Sequence, residues 1–167
     1  MVALYITSLE RGSGKTTVCA GLGKHLLNDG KKTGFFKPII ADSKNIAVED
    51  TDSDATFIKN LFALEEPLDL LCPIFSNESD LAGKIKDAYA RVSKGKDVVI
   101  IEGISEQHQA SHDIVETLNA KVIIVEGYSQ DSLKAIEKYN NFGKHLLGIV
   151  LNKVPGSQVE RVSGEIS

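Results

Sequence analysis

The segment Ser8-Leu9-Glu10-Arg11-Gly12-Ser13-Gly14-Lys15-Thr16-Thr17 constrains this chain more than any other stretch of it. It follows Val2–Thr7, a short apolar run rich in strand formers that reads as a buried strand. It runs into Lys15–Asn28, where Val18, Cys19, Leu22, Leu26 and Leu27 recur at helical spacing, and Asp29-Gly30 supplies the stop. A strand, a glycine-rich turn, Gly-Lys-Thr-Thr and an amphipathic helix together make a phosphate cradle. Gly12 and Gly14 let backbone N–H groups converge on an anion. The helix that starts at Lys15 adds the positive end of its dipole. Lys15 then neutralises the terminal phosphates and the Thr16 hydroxyl binds magnesium. Arg11, Gly12, Ser13, Gly14, Lys15, Thr16 and Thr17 are the expected nucleotide contacts. The consensus G-x-x-x-x-G-K-[ST] has its first glycine where Leu9 stands, but the half that touches phosphate is intact.

Beyond Gly30 the pattern alternates strand and helix. Thr33–Lys37 reads as a second strand closed by Pro38. Ala41–Ser53 is polar and reads as a loop, and Asp54–Leu61 as a short helix. Glu65–Phe75 contains Pro67 and Pro73 and reads as a mostly irregular connection. Glu78–Lys94 carries Leu81, Ile85, Ala88, Tyr89 and Val92 on one helical face. Asp97–Glu102 holds the apolar run Val98–Ile101, which suits a parallel strand covered on both sides. Ser111–Asn119 and Ser129–Phe142 read as helices, Lys121–Val125 and His145–Leu151 as the fourth and fifth strands. The expectation is an α/β P-loop fold of three layers, a mostly parallel sheet with helices on both faces. Ligands of such sheets bind beyond the carboxyl ends of the strands, where Ser8–Thr16, Lys37, Glu102, Glu126 and Asn152 fall.

A chain of 167 residues fits one domain, so 1–167 reads as a single nucleotide-binding unit. After Pro155 the run SQVERVSGEIS reads as the start of another helix, and the chain is expected to be the N-terminal part of a longer one. A net charge of -4 speaks against nucleic acid or a membrane surface as partner. No apolar run approaches the ~20 residues of a membrane span, and the N-terminus lacks the pattern of a signal peptide. Cys19 and Cys72 have neither metal-ligand nor disulfide spacing and read as buried thiols of a reducing cytoplasm.

Magnesium takes a few oxygen ligands and keeps several waters. Glu102 closes the Val98–Ile101 strand, where a metal-holding carboxylate belongs, and Gly103 lets the chain turn near the phosphates. Glu126-Gly127 repeats the pattern one strand later, with Glu102 preferred. Asp50, Asp52 and Asp54 form an acidic cluster that either caps a helix or reaches the magnesium, and Asp54 stands at the N-cap position. Lys37 projects from the top of strand two, either into solvent or onto a phosphate or carboxylate. Asn152-Lys153-Val154-Pro155 is like the guanine-reading N-K-x-D, but Pro155 replaces the aspartate. Asn152 can still meet an adenine edge, which favours ATP over GTP. His108 and His112 lack the surroundings of a metal helix and read as loop and helix start.

The segments LYITSLERGSGKTT, GFFKPI, DSDATFIK, VVIIEG and GIVLNKVP span nearly the whole chain in order. With them it resembles the dethiobiotin synthetase family, relatives of cobyrinic acid a,c-diamide synthase. The resemblance is strongest to the related N-terminal domains of long phosphotransacetylases and of DRTGG-domain proteins. Ser8 stands in place of the first family glycine, six residues before Gly14, and Glu10 follows, as in the phosphotransacetylase type. Partitioning-type ATPases are a poor match, since their second lysine falls at Glu10. The resemblance implies ATP across the carboxyl edge of the sheet, and magnesium held by Thr16, Asp54 and Glu102. Lys15 and Lys37 are then the catalytic lysines, meeting phosphate and substrate. The loop ISEQHQASHD departs from the glycine-rich loop of the biotin enzymes.

Three functions remain open on the sequence: a regulatory or ligase-like module of a larger metabolic enzyme, a free-standing ATP-dependent carboxylate–amine ligase, and a non-catalytic nucleotide-sensing or structural module. The expected partners are the nucleotide, a small carboxylate or amine, and either a second copy or C-terminal domains of the same chain.

Overall fold

The computed structural model describes residues 1–41, 48–76, 80–103, 108–129 and 142–166. The expected helix over 129–142 and most of the loop that follows Gly103 lie outside the described residues. The central sheet has five strands: β1 (Val2–Thr7), β2 (Thr33–Phe36), β5 (Val98–Glu102), β6 (Lys121–Gly127) and β7 (Leu146–Asn152). Their order is β2-β5-β1-β6-β7, and each neighbouring pair is parallel. The helices are α1 (Lys15–Asn28), α2 (Val48–Phe62), the single turn α3 (Leu68–Leu71), α4 (Leu81–Val92), α5 (His108–Leu118) and α6 (Val159–Ile166).

The order reverses beside β1, and that reversal positions the site. The chain leaves β1 through α1 toward β2, and leaves β5 through α5 in the opposite direction, toward β6. Right-handed crossovers in opposite directions put α1 and α5 on opposite faces of the sheet. Burial agrees with two covered faces: the adjacent residues Tyr5 and Ile6 point to opposite sides and are both fully buried. The Tyr5 hydroxyl donates to Ser111 Oγ on α5 at 2.9 Å, so that face belongs to α5. Helices α1 and α2 pack on each other, as do α4 and α5. The crevice at a strand-order reversal is where open parallel sheets bind ligands. Here it lies between the ends of β1 and β5.

Two stretches differ from the sequence reading. Residues 41–53 do not form one loop: β3 (Ile39–Ala41) ends at the start of the stretch and α2 begins at Val48, so Asp54 lies inside the helix and is not its N-cap. The buried residues Ala55, Ile58 and Phe62 set the inward face of α2, and the polar first turns conceal its start from periodicity. Residues 65–75 contain α3, and β4 (Ile74–Ser76) pairs in parallel with β3, Ile39 opposite Ile74. Three-residue strands carry little local signal and form only because they find each other. Among the described residues no helix is long and apolar enough to cross a membrane.

Helix α1 lies close to α2 because of Gly23, where an added Cβ would fall 1.9 Å from Phe62 Cζ. Phe62 is itself buried, so its ring has nowhere to go. Gly23→Val is expected to destabilise the fold by about 1–3 kcal/mol, the usual cost of overpacking. Phe62→Leu in the same chain should recover part of the loss, with urea unfolding as the measurement. Unchanged stability in Gly23→Val would mean that the two helices are not seated on each other.

Candidate functional site

The turn after β1 delivers the backbone expected of a phosphate cradle. Gly12 and Gly14 sit at φ 71° and 99°, the left-handed region that glycine tolerates. Gly14 is the N-cap of α1, with no side-chain cap bond, and the first turn carries no acidic residue. The N–H groups that open an α-helix lack intrahelical partners. The first turn of α1 supplies no carboxylate of its own for them.

The ends of two strands, β6 and β7, hold that loop. Glu126, at the end of β6, accepts a hydrogen bond from the Leu9 N–H at 2.7 Å. Asn152, at the end of β7, donates through Nδ2 to the Ser13 carbonyl at 2.9 Å, and its Oδ1 accepts from the Lys153 N–H at 2.9 Å. A Cβ on Gly14 would meet Asn152 Nδ2 at 2.1 Å, so this approach also requires glycine. Lys153, in the left-handed region at φ 61°, reaches the Gly12 carbonyl at 2.6 Å. Asn152 therefore braces the loop in addition to any base edge it meets. The bracing roles of Lys153 and Glu126 are not legible in the sequence. Their only signal is position at the carboxyl ends of β6 and β7.

Inside the loop, Lys15 Nζ donates to Ser8 Oγ at 2.9 Å, and Ser8 Oγ donates to the Glu10 carbonyl at 2.7 Å. The hydroxyl that stands in place of a glycine is thus a resting partner for Lys15. Burial draws the Lys15 ammonium below its ordinary pKa, with Glu102 opposing and Lys37 assisting. Arg11 and Thr17 lie exposed at the rim, and Ser13 is buried with no hydrogen-bond partner for Oγ.

The second half of the site gathers where α1, β2, α2 and β5 meet. Thr16 Oγ1 lies 3.1 Å from Glu102 Oε1 and 3.2 Å from Asp54 Oδ2. Lys37 Nζ lies 2.9 Å from the same Glu102 oxygen and 3.0 Å from the same Asp54 oxygen. Burial pulls Lys37 down, but the charge of Glu102 and hydrogen bonds to both carboxylates outweigh it and hold the ammonium above its ordinary pKa. Glu102 is only 4% exposed, and its Oε2 has no hydrogen-bond partner.

These oxygens suit magnesium. Adjacent ligands of an octahedral ion with bonds of about 2.1 Å stand about 3 Å apart, close to the spacings around Thr16 Oγ1. Among the described residues no group of three His, Cys, Asp or Glu could hold a metal by itself. Two carboxylates and a hydroxyl are instead the partial set that magnesium completes with water and phosphate. The side chains of Asp50, Asp52 and His108 lie outside the described residues, and His112 stacks on Phe142. Cys19 is buried beneath the site, and burial followed by the charge of Glu102 pushes its thiol well above the ordinary range. Cys72 is only partly buried.

A family model described as an AAA domain (AAA_26) matches residues 2–166. The chain is 25% identical to the ATP-dependent dethiobiotin synthetase BioD of Methanocaldococcus jannaschii, covering 89% of this chain and 78% of that protein. It is 28% identical to the phosphate acetyltransferase of Pseudomonas aeruginosa, covering 93% of this chain and 25% of that protein. Among solved structures, the signal recognition particle receptor FtsY from Elizabethkingia anophelis in complex with GDP matches with a TM-score of 0.58 at 18% identity. That match covers 88% of this chain and 48% of the other. The kinase domain of the Escherichia coli tyrosine kinase ETK matches at 0.57 and 14% identity, covering 92% and 68%. Such structural likenesses speak for the fold, which is the three-layer parallel arrangement expected from the sequence.

The lowered pKa of Lys15 has a sign that can be tested. The unfolded chain holds this proton more readily than the folded one, so the charged lysine costs stability at neutral pH. The cost falls away as pH rises from the lowered value to the ordinary 10.5. Lys15→Met is expected to be at least as stable as the wild type at pH 7, with the gap narrowing toward pH 10.5 in urea unfolding. A less stable Lys15→Met at pH 7 would show that the Ser8 bond outweighs burial.

Proposed function

We propose that this chain, which belongs to the AAA domain family AAA_26, binds ATP with magnesium and serves as a regulatory or ligase-like module of a metabolic enzyme. The observation that carries this reading is the convergence of Thr16, Asp54, Glu102 and Lys37 beside a loop that already has the backbone of a phosphate cradle. ATP fits better than GTP because Pro155 stands where a guanine-reading aspartate belongs, and because the dethiobiotin synthetases it resembles are named as ATP-dependent. The module reading is supported by the phosphate acetyltransferase match, which this chain spans over about a quarter of that protein's length.

In this reading the loop N–H groups of Gly12 to Thr16 surround the phosphates. Lys15 leaves Ser8 for the terminal phosphates. Thr16, Asp54 and Glu102 hold the magnesium, which neutralises charge on the phosphates when bound. Lys37, at the mouth of β2, orients a terminal phosphate or the carboxylate of a small substrate. Glu126, Asn152 and Lys153 keep the loop in place and touch no reacting atom. Such chemistry is mainly positioning and charge neutralisation, so the loop's rigidity contributes as much as any single group.

Calorimetric titration with ATP and magnesium, against GTP and magnesium, tests the binding, and a phosphate-release assay on the same sample tests turnover. Binding preferential for ATP is expected. Release that depends on an added amine or carboxylate identifies a ligase, whereas binding without release identifies a sensing module. Absence of binding would mean that Leu9 and Ser8 disable the cradle and that the reading is wrong. Lys15→Ala should weaken ATP binding by about 1.5–3 kcal/mol, the scale of a charge-assisted hydrogen bond. Glu102→Gln should weaken the dependence on magnesium more than Glu126→Gln does, and the reverse order would assign the metal to β6.

A further inference from the structure

Lys37 holds the same two oxygens that Thr16 touches. Its Nζ lies 2.9 Å from Glu102 Oε1 and 3.0 Å from Asp54 Oδ2, and Thr16 Oγ1 lies 3.1 and 3.2 Å from those atoms. A divalent cation that draws on Thr16, Asp54 and Glu102 through these oxygens needs the space and the charge that the ammonium already supplies. Two cations that draw on the same oxygens at such distances repel each other, and inside a part-buried site that repulsion is poorly screened. We propose that Lys37 is the built-in counter-cation of the metal site. It neutralises Asp54 and Glu102 while no metal is present and is displaced from them when a divalent cation enters.

The inference rests on the nucleotide–magnesium reading and adds a competition that the reading does not require. Several features suit Lys37 to this exchange. Glu102 is nearly withdrawn from solvent, and a carboxylate there is costly without a cation beside it. Lys37 itself is 12% exposed at the side chain, so it is a committed partner and not a solvated one. Its backbone is fixed by an N–H bond to the Leu71 carbonyl at 2.7 Å and by the following Pro38. Its four-carbon stem still lets the ammonium move without moving the strand. A lysine released from the carboxylates beside the cradle is placed to meet phosphate. Entry of the metal would therefore also deliver the cation expected to contact the transferred group.

The test uses the nucleotide-free chain and Mn2+ alone, followed by electron paramagnetic resonance. Lys37→Met is expected to bind Mn2+ about tenfold or more tightly than the wild type, the scale set by removing one neighbouring full charge. Adding Glu102→Gln to Lys37→Met should abolish the gain. Equal or weaker Mn2+ binding by Lys37→Met overturns the proposal. If Lys37→Met does not fold, Lys37→Gln is titrated in its place with the same criterion. A second readout needs no substitution: in the 15N-lysine-labelled wild type, the Lys37 ammonium signal should shift as Mg2+ saturates the site, and a signal that stays put also overturns the proposal. Failure here is separable from failure of the function. A wild type that takes up ATP with magnesium while its Lys37 signal stays fixed loses only the counter-cation, and one that takes up no ATP loses the nucleotide reading itself.

Discussion

Glu102 ends the strand beside β1 with a carboxylate almost closed off from water, and most of the site is arranged around that fact. A buried charge needs both a counter-charge and hydrogen-bond donors. The chain supplies Lys37 from the next strand and the Thr16 hydroxyl from the first turn of α1. Asp54 comes in from α2 and shares both partners. Four elements far apart in sequence are thereby tied together at one point. The tie holds only because the strand order β2-β5-β1 places those ends side by side. Register matters as much as order: Glu102 pairs with Ile6, one residue before β1 gives way to the loop.

The loop depends on the other side of the sheet. It carries Leu9 where a consensus loop has glycine, yet its backbone at Gly12 and Gly14 still takes the left-handed conformations of a phosphate cradle. The compensation comes from β6 and β7. Glu126 takes the Leu9 N–H, Asn152 takes the space over Gly14, and Lys153 takes the Gly12 carbonyl. The two carboxylates that look alike in the sequence, Glu102 and Glu126, thus divide their work by the side of β1 on which they stand. Glu102 faces the hydroxyl and the lysine, whereas Glu126 faces backbone.

What could be read beforehand follows from what is local. The five strands of the central sheet, α1 and the phosphate loop are written in continuous apolar runs, glycines and helical spacing. They appear in the structure within one or two residues of their expected bounds. Thr16, Lys37 and Glu102 fall at the carboxyl edge of the sheet by the loop motif and the strand ends alone, whereas the choice of Asp54 as their companion comes through family resemblance, because no spacing in the chain links residues 16, 37, 54 and 102. The start of α2 is hidden by the polar sequence of its first turns, and the β3–β4 pair and the brace at Lys153 share another reason. Each of these two exists through a partner distant in sequence, and neither has a periodic pattern of its own.

Charge balance links the two halves of the site. At its centre stand two lysines and two carboxylates, with Lys15 on Ser8 and Lys37 on Asp54 and Glu102, and Lys153 and Glu126 add one charge of each sign where they brace the loop. A divalent cation entering alone would leave a part-buried site with excess positive charge. A triphosphate entering alone would leave a larger excess of the opposite sign beside two carboxylates. Arriving together, each offsets the other, and the lysines change partners instead of being left without one. Low-dielectric surroundings make any uncompensated charge expensive. On the proposed reading, a site that is neutral at rest would favour the metal–nucleotide complex over either component. On that reading the exchange is one of partners at Lys15 and Lys37, beside a loop backbone held by Glu126, Asn152 and Lys153.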